Sequence, residues 1–334
     1  MSLTPDGSRL VVANKQDISV AIIDPDNPSN AQAIAIPAVS SNPGGPVFVA
    51  ATATGKVLIS IGGFSYPWTG PLYELDLATS QVQALTIPGT IPRDSMGLYP
   101  TSNGKTVFVR TYGGFAGFWD PATGQFSGTN DNFAGSGLGA AAGDGNVFAV
   151  GLGFLAPGGS SLVGWGIPDE LGGFQGIFPN QAALNDSGSL EFTADSNSLF
   201  IFDTYHGDLL RSLTLPSQVN VWTKTIALDS TAAHVFVSDS QGLTVLTLAS
   251  PPLALGSVTP SIASVSGGTI LSLRGSGFDP ATTVDIGGKM ATTAFVDANT
   301  LQVTAPANSV GPTQITLHKP GGESYQLDAA VVYQ

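Results

Sequence analysis

Apolar residues recur along the first two thirds of the chain as short runs, each placed after a tight polar turn. The turns are Pro5–Gly7, Thr54–Gly55, Asn103–Gly104, Asp144–Gly145, Asp186–Gly188 and Asp229–Ser230. The runs that follow them are Arg9–Ala13, Val57–Ile61, Thr106–Arg110, Asn146–Val150, Ser189–Thr193 and His234–Ser238. Short apolar runs bounded by Gly, Asn, Asp and Pro predict β-strands joined by tight turns.

The turn recurs every 40 to 50 residues or so, and only predicted strands lie between one turn and the next. Such a period is typical of a β-propeller, whose blades are four-stranded antiparallel sheets. The second repeat shows four strands, at Pro46–Ala53, Val57–Ile61, Pro71–Leu77 and Val82–Ile87. The third and fifth repeats follow the same scheme. In the fourth, we expect strands at Leu138–Ala142, Asn146–Val150, Leu162–Gly166 and Phe174–Phe178.

The first and last repeats are predicted to be incomplete. The first opens at the turn after its inner strand, because Met1–Thr4 is too short to form that strand, and the sixth lacks a clear fourth strand. A propeller must close its edges or expose unpaired backbone. We therefore expect the chain to be a fragment whose missing part supplies an inner strand, with a seventh blade as a further possibility. The alternative is that the end blades have only three strands.

Aspartates recur at the end of the third strand, at Asp24, Asp76, Asp120, Asp169 and Asp203. An aspartate there can accept a hydrogen bond from the backbone two residues further on and so hold a hairpin turn. A metal site would need carboxylates that converge on one point, whereas these occur once per blade. We therefore interpret them as turn residues.

The first repeat resembles bacterial propellers of the YVTN/NHL-like group. The resemblance rests on Leu3–Asn14, which reads LTPDGSRLVVAN, and on Ile18–Asp24, which reads ISVAIID. It covers residues 1 to about 250 and implies the propeller fold without specifying an activity.

The character of the chain changes at Pro251-Pro252, where the repeat stops and seven new strands are predicted. Seven strands in such a short segment indicate a small β-sandwich. The motifs are Ser266–Thr269, Leu273–Phe278, Val284–Gly288 and Leu301–Ala307. Together they are similar to the IPT/TIG domain, which is immunoglobulin-like. The predicted fold class is all-β, with a propeller at 1–250 and an IPT/TIG sandwich at 251–334.

Composition narrows the functional classes. The net charge is −13 and only 10% of residues are charged, which disfavours nucleic acid and anionic membranes as partners. The chain has no cysteine, so disulfides and thiol catalysis are excluded. No apolar run is long enough for a membrane span. This composition is typical of bacterial exported proteins, so we expect an extracellular, cell-surface or periplasmic location.

Three successive loops between second and third strands are rich in glycine and aromatic residues: Gly62–Gly70, Tyr112–Phe115 and Gly151–Gly159. Aromatic side chains on loops of a rigid scaffold suit sugars or apolar peptide groups. The predicted ligand-binding residues are Tyr66, Trp68, Arg93, Asp94, Arg110, Tyr112, Phe115 and Phe154. In the competing interpretation these aromatics fold inward and cover the channel. The expected partners are a glycan, a peptide or another surface protein, and the sequence does not define the oligomeric state.

The three histidines do not predict a catalytic or metal site, because His206, His234 and His318 belong to separate parts of the predicted fold. We therefore expect no cofactor, while the oxygen-rich segments Asp24–Asn27 and Asn130–Asn132 leave calcium open. The main hypothesis is an exported binding or adhesion-type protein in which the IPT/TIG domain is a spacer or docking module. The alternative is a lactonase- or lyase-like enzyme that uses a divalent metal and the loop acids Asp17, Asp94 and Asp131.

Overall fold

The computed structural model describes residues 1–37, 46–61, 72–85, 96–111, 116–130, 139–150, 153–155, 161–162, 182–195, 197–219 and 225–334. These residues form strands and turns, with no helix among them. The protein is an all-β β-propeller followed by an immunoglobulin-like domain. It divides into two compact units, residues 1–164 and 165–334.

The first unit contains four four-stranded antiparallel sheets, each with its strands in sequence order. Blade 1 has β1 (Ser2–Leu3), β2 (Leu10–Asn14), β3 (Ser19–Asp24) and β4 (Asn27–Ala35). Blade 2 has β5 (Pro46–Ala51), β6 (Lys56–Ile61), β7 (Leu72–Asp76) and β8 (Val82–Leu85). Blade 3 has β9 (Met96–Pro100), β10 (Val107–Thr111), β11 (Ala116–Asp120) and β12 (Gln125–Asn130). Blade 4 has β13 (Gly139–Ala141), β14 (Phe148–Val150), β15 (Gly153–Leu155) and β16 (Ser161–Leu162).

The second unit contains the last two blades and the C-terminal sandwich. Blade 5 has β17 (Ala182–Leu184), β18 (Leu190–Asp195), β19 (Ser198–Asp203) and β20 (Leu209–Thr214). Blade 6 has three described strands, β21 (Ile226–Leu228), β22 (His234–Asp239) and β23 (Gly242–Thr247).

The sandwich has nine strands in two sheets. Its strands are β24 (Ala254–Thr259), β25 (Ile262–Ala263), β26 (Ile270–Ser276), β27 (Thr283–Ile286), β28 (Lys289–Met290), β29 (Thr292–Asp297), β30 (Thr300–Thr304), β31 (Gly311–His318) and β32 (Ser324–Tyr333). One sheet has the order β24-β26-β30-β29 and the other β25-β32-β31-β27-β28. The predicted sandwich is confirmed, with β25 and β28 as additional short strands.

Strand position within a blade determines how its side chains are buried. In β6 every residue from Val57 to Ile61 is buried, because both faces of this strand are covered. The outer strand β20 instead has exposed and partly exposed residues throughout. The described residues of the second strands of blades 3 and 5 are mostly buried in the same way, whereas β2 and β22 also contain half-buried residues.

The turns between first and second strands require a left-handed residue at one position. Glycine fills it at Gly55 (φ 74°), Gly104 (φ 63°) and Gly145 (φ 79°). Glycine adopts this conformation without the steric cost that a Cβ atom brings. In blade 6 the left-handed residue of this turn is Ala232 (φ 57°) instead of a glycine.

Two expectations about strands are wrong. Ser2 and Leu3 do form an inner strand in blade 1, where they pair with Val11 and Leu10. In blade 4 the third strand is β15, which pairs with β14 and β16, so the expected third strand Leu162–Gly166 is misplaced. The expected fourth strand, Phe174–Phe178, lies outside the described residues.

Candidate functional site

Six of the eight predicted ligand-binding residues lie outside the described part of the chain. They are Tyr66, Trp68, Arg93, Asp94, Tyr112 and Phe115. The structure describes Arg110 fully and Phe154 in its backbone.

Phe154 does not lie on a loop. It belongs to β15, where it pairs with Ala149 of β14 and Leu162 of β16. The expectation fails because β14 ends at Val150 and β15 already begins at Gly153. The glycines of this segment suggested a long loop, but the chain re-enters the sheet almost at once.

Arg110 lies near the end of β10, opposite Gly97 of β9 and Ala116 of β11. It is only 3% exposed. Burial disfavours the charged form of the guanidinium and lowers its pKa, while the nearby Tyr99 phenol acts in the opposite direction. Arg110 is therefore a buried cation rather than a freely exposed one.

Tyr99 shares this face of blade 3 with Arg110. Its ring folds back over Gly97, where a Cβ atom would collide with the hydroxyl, and its hydroxyl interacts with the backbone of Gly139. Burial raises the pKa of the phenol well above its usual range. At neutral pH the pair therefore consists of a neutral phenol and a buried cation.

An aromatic cluster continues from Tyr99 between blades 3 and 4. Phe108 lies 6.0 Å from Tyr99 and 5.3 Å from Phe118 between ring centroids, and Phe118 lies 4.7 Å from Phe148. All four rings are buried. Gly139 lets the inner strand of blade 4 approach, because a Cβ there would lie 2.9 Å from the Phe108 ring. These aromatics are core, in contrast to those predicted on the loops.

Among the described residues of the blades, two glutamates are buried, and sequence analysis did not single out either. Glu74 of β7, 3% exposed, accepts a hydrogen bond from Gln83 Nε2 at 3.0 Å and pairs with Lys56 Nζ at 3.0 Å. Glu191 of β18, 2% exposed, has no hydrogen bond or ion pair to its carboxyl within the described ranges. Burial raises the pKa of Glu191 to about 8.

Thr193 lies two residues along β18, on the same face as Glu191. Its hydroxyl is buried and has no hydrogen-bond partner among the described residues. The signal in the sequence was the alternation Leu190-Glu191-Phe192-Thr193, which places both polar residues on one side of the strand.

Each histidine contacts an aspartate of its own neighbourhood. Nδ1 of His234 lies 2.6 Å from Asp229, and Nε2 of His318 lies 3.3 Å from Asp285. His206 makes a very short contact with Asp203. Across the described ranges, no group of three His, Asp or Glu side chains is close enough to hold a metal ion.

The aspartates that end the third strands hold their turns, as predicted. Oδ1 of Asp24, Asp76, Asp120 and Asp203 each accepts the backbone N–H two residues on, at 2.8 to 3.0 Å. Asp169 lies outside the described residues. Among the described residues, the Oδ1 atoms of Asp24, Asp76 and Asp120 accept hydrogen bonds only within their own turns, whereas Asp203 also accepts one from the sandwich.

Asp203 is 1% exposed and links blade 5 to the sandwich. Its carboxylate accepts the Tyr325 hydroxyl of β32 at 3.0 Å, as well as the backbone N–H groups of Tyr205 and His206. The His206 ring packs edge-on against Tyr325, with centroids 5.6 Å apart.

The sandwich also contacts the first-to-second-strand turns of blades 5 and 6. Arg274 pairs with Asp186 at 2.5 Å, and the Ser187 hydroxyl donates to the Gly275 carbonyl at 2.9 Å. In blade 6, Asn299 Nδ2 donates to the Ser230 carbonyl at 2.6 Å. One hydrophobic core includes residues of blade 5, blade 6 and both sandwich sheets.

All these turns lie at one end of their sheets, because first-to-second and third-to-fourth connections leave the same end of an antiparallel blade. The second-to-third connections of blades 5 and 6, at 196–197 and 240–241, lie at the other end. Within the second unit, the sandwich therefore packs against one end of the two blades and leaves their opposite end outside these contacts.

Comparisons with known proteins support both parts of the fold. Residues 253–332 match the family model of the IPT/TIG domain. The β-propeller domain of Cps50 (Swd1) from Myceliophteria thermophila is similar in structure, with a TM-score of 0.52 and 12% identity over 74% of this chain and 81% of that chain. This likeness concerns the fold alone, and the YVTN/NHL-like type remains a prediction.

A second solved structure is the extracellular domain of a candidate one-component system from B. thetaiotaomicron. It has a TM-score of 0.49 and 14% identity, and the match covers 99% of this chain and 48% of that chain. No curated protein matches the chain significantly. The described residues include no helix of the length and apolarity that a membrane span requires.

Proposed function

We propose that the chain is an exported binding module. The propeller presents a recognition surface at the loop end of its blades, and the IPT/TIG domain docks on the turn end of blades 5 and 6. The expected ligand is a glycan, a peptide or another surface protein outside the cytoplasm. The architecture of propeller plus IPT/TIG domain is consistent with such a module.

The proposal rests on the end of blades 5 and 6 at which the sandwich makes its contacts. The partners of the sandwich in blades 5 and 6 are turn residues, among them Asp186, Ser187 and Ser230. The connections that leave the other end of these sheets are not used for this contact. The strands of blades 2 and 3 follow the same order, so the connections 62–71 and 112–115 leave the end that corresponds to the end of blades 5 and 6 without sandwich contacts.

The chemistry of those loops supports recognition. Their sequences carry Tyr66, Trp68, Tyr112 and Phe115 among glycines, and Arg110 is the penultimate residue of the strand that precedes the second connection. Aromatic faces bind sugars and apolar side chains, and a rigid sheet holds them at little entropic cost. We assign Tyr66, Trp68, Tyr112 and Phe115, with Arg93 and Asp94, to this surface, and Arg110 to the support beneath it.

The test starts from glycan and peptide arrays, which supply a ligand for quantitative binding. Trp68→Ala should then weaken binding about thirtyfold, since truncating an aromatic anchor costs roughly 2 kcal/mol. The melting temperature should stay within a few degrees of the parent protein. Phe295→Ala is the matched control, because Phe295 is a partly exposed aromatic of the sandwich.

The two variants separate recognition from packing. If Trp68→Ala and Phe295→Ala bind the ligand with equal affinity, Trp68 does not belong to the binding surface. If Trp68→Ala unfolds the protein while its folded fraction binds normally, Trp68 is a core residue and the site lies elsewhere.

A further inference from the structure

The first-to-second turns of blades 1–4 share one hydrogen-bonding pattern. In each turn the N–H of a left-handed glycine donates to the carbonyl three residues earlier, at 2.8 to 3.3 Å. The pairs are Gly7 with Thr4, Gly55 with Thr52, Gly104 with Thr101, and Gly145 with Ala142. All four residues that supply the carbonyl are buried. We call these four turns, residues 4–7, 52–55, 101–104 and 142–145, the turn hub.

Hydrogen bonds join the turns of neighbouring blades. Ala53 N of blade 2 donates to the Gly104 carbonyl of blade 3 at 3.1 Å. Asn103 of blade 3 donates from its backbone N to the Gly143 carbonyl and from Nδ2 to the Asp144 carbonyl, both at 3.4 Å. The turn of blade 3 is therefore bonded to the turns on both sides of it.

Blade 1 contacts blade 3 as well as blade 2. Ala51 N of β5 donates to Ser2 Oγ of β1 at 3.0 Å, which joins the inner strands of blades 1 and 2. A Cβ atom at Gly104 would lie 2.4 Å from Pro5 Cγ of blade 1 and 2.4 Å from Ala53 N of blade 2. The turns of three blades therefore meet at one glycine, although blade 2 separates the other two along the chain.

The burial of Gly104 shows how closely these turns meet. Asn103 and Lys105 on either side of it are exposed, whereas Gly104 is buried. A Cβ atom at Gly7 or Gly55 would instead meet nothing within 4 Å. The inner strands of a propeller surround a central channel, and the blades diverge outward from it. The turns of blades 1 and 3 can therefore meet only by reaching inward over that channel.

We propose that the turn hub closes this end of the channel along blades 1–4, so that ligands reach the propeller only from the opposite end. That end is the one at which the connections 62–71 and 112–115 leave blades 2 and 3. One-sided access admits a chain end or the face of a partner and excludes a polymer that threads through the channel. The consequence for ligands rests on the proposed function, whereas the closure rests on the turn contacts alone.

A pair of glycine substitutions tests the closure without any ligand. Gly104 (φ 63°) and Gly55 (φ 74°) are both left-handed, so an alanine brings similar backbone strain at either position. Only the methyl group at position 104 collides with blades 1 and 2. Gly104→Ala should therefore lower the melting temperature by at least about 5 °C more than Gly55→Ala. Hydrogen exchange should become faster in the turns of blades 1, 2 and 4 in Gly104→Ala, but only in blade 2 in Gly55→Ala.

A double-mutant cycle tests the contact between blades 1 and 3. Pro5→Ala removes the Cγ atom that a Cβ at Gly104 would meet, while the collision with Ala53 remains. In this background Gly104→Ala should lower the melting temperature by at least about 2 °C less than in the parent, whereas independent sites would add. Pro28→Ala is the control, because Pro28 is an exposed proline of the outer strand β4 and should add to Gly104→Ala independently.

A bulky label tests the direction of access with the ligand found on the arrays. The chain has no cysteine, so Lys105→Cys places a single polyethylene glycol maleimide at the turn hub, and Ser65→Cys places one in the connection 62–71. The label at position 105 should leave the affinity within about twofold of the parent, since the ligand does not enter there. The label at position 65 should weaken binding at least about tenfold by blocking the opposite end.

The outcomes separate the closure from the proposed function. Equal losses of stability in Gly104→Ala and Gly55→Ala, or full additivity of Pro5→Ala with Gly104→Ala, would overturn the closure. Loss of binding on labelling position 105 would overturn one-sided access even if the turns meet as described. If neither label affects binding while the glycine variants behave as expected, the closure stands and the proposed recognition surface is wrong.

Discussion

Two pairs of blades share the same strand order but differ at both ends of their strands. One pair is blades 2 and 3, and the other is blades 5 and 6. The second-to-third connections span residues 62–71 and 112–115 in blades 2 and 3, but only 196–197 and 240–241 in blades 5 and 6. In blades 5 and 6 the opposite turns contact the IPT/TIG sandwich through Asp186, Asp203 and Ser230. The repeat thus has longer second-to-third connections in one region and makes domain contacts in the other.

The comparison shows that an aspartate at the same turn position can stabilise the protein in two ways. Asp76 and Asp203 occupy equivalent positions after a third strand, and both accept backbone N–H groups of their own turns. Asp203 is almost completely buried and also accepts the Tyr325 hydroxyl. The motif that repeats in sequence is therefore local in blade 2 and a domain contact in blade 5.

The largest expected effect comes from breaking this contact. Asp203→Ala should lower the free energy of unfolding by about 3 kcal/mol, because it leaves several buried donors without an acceptor. Asp76→Ala, the matched control, should destabilise the protein much less, because solvent can replace its turn hydrogen bonds. Urea denaturation of both variants measures the difference. Equal losses would mean that the contact with Tyr325 adds nothing to the turn.

The next effect comes from the close approach of β24 to blade 5. A Cβ atom on Gly256 would collide with the Ser187 carbonyl oxygen and lie 3.3 Å from the Ser189 Cβ. Gly256→Val should therefore push the sandwich away from the blade 5 turn and cost about 1–3 kcal/mol. Gly321→Val is the control, because nothing lies within 4 Å of its Cβ position.

Thermal unfolding and limited proteolysis would report this change. We expect new cleavage near residues 185–189 and 250–256 in Gly256→Val and none there in Gly321→Val. If neither segment becomes more sensitive to proteolysis, the contact between β24 and the blade 5 turn can accommodate a larger side chain despite its close packing.

Sequence reasoning succeeded where one strand carries its own signal. Val57–Ile61 and Leu199–Asp203 are apolar runs next to turn residues, and both form strands within a residue of the expected bounds. It failed in blade 4, where Gly153–Leu155 forms a strand without the β-branched residues that usually indicate one. Ser2–Leu3 was missed because two residues carry no periodicity.

The docking contacts and the buried charges were harder to predict for a different reason. Arg274 reaches Asp186 across 88 positions of sequence, and Tyr325 reaches Asp203 across 122. No local pattern encodes such pairs, and a single sequence does not reveal them by covariation. The predicted aromatic loops remain a hypothesis, since their positions lie outside the described residues.

The smallest expected effect depends on pH and contrasts the two buried glutamates. Glu74 pairs with Lys56, whereas Glu191 has no such partner among the described residues. Burial raises the pKa of Glu191 from 4.5 to about 8, so between these values the folded state holds a proton that the unfolded state has released. The contribution of this group to stability is full below pH 4.5 and decreases as the pH rises to 8.

Glu191→Gln should remove this dependence, because the amide resembles the protonated acid and does not titrate. We expect melting temperatures close to those of the parent at pH 5 and higher than the parent at pH 8 to 9. Glu74→Gln should instead be destabilising in both buffers, since Lys56 then lacks its carboxylate. Parallel melting curves of Glu191→Gln and the parent across this range would show that Glu191 is not protonated in the folded state.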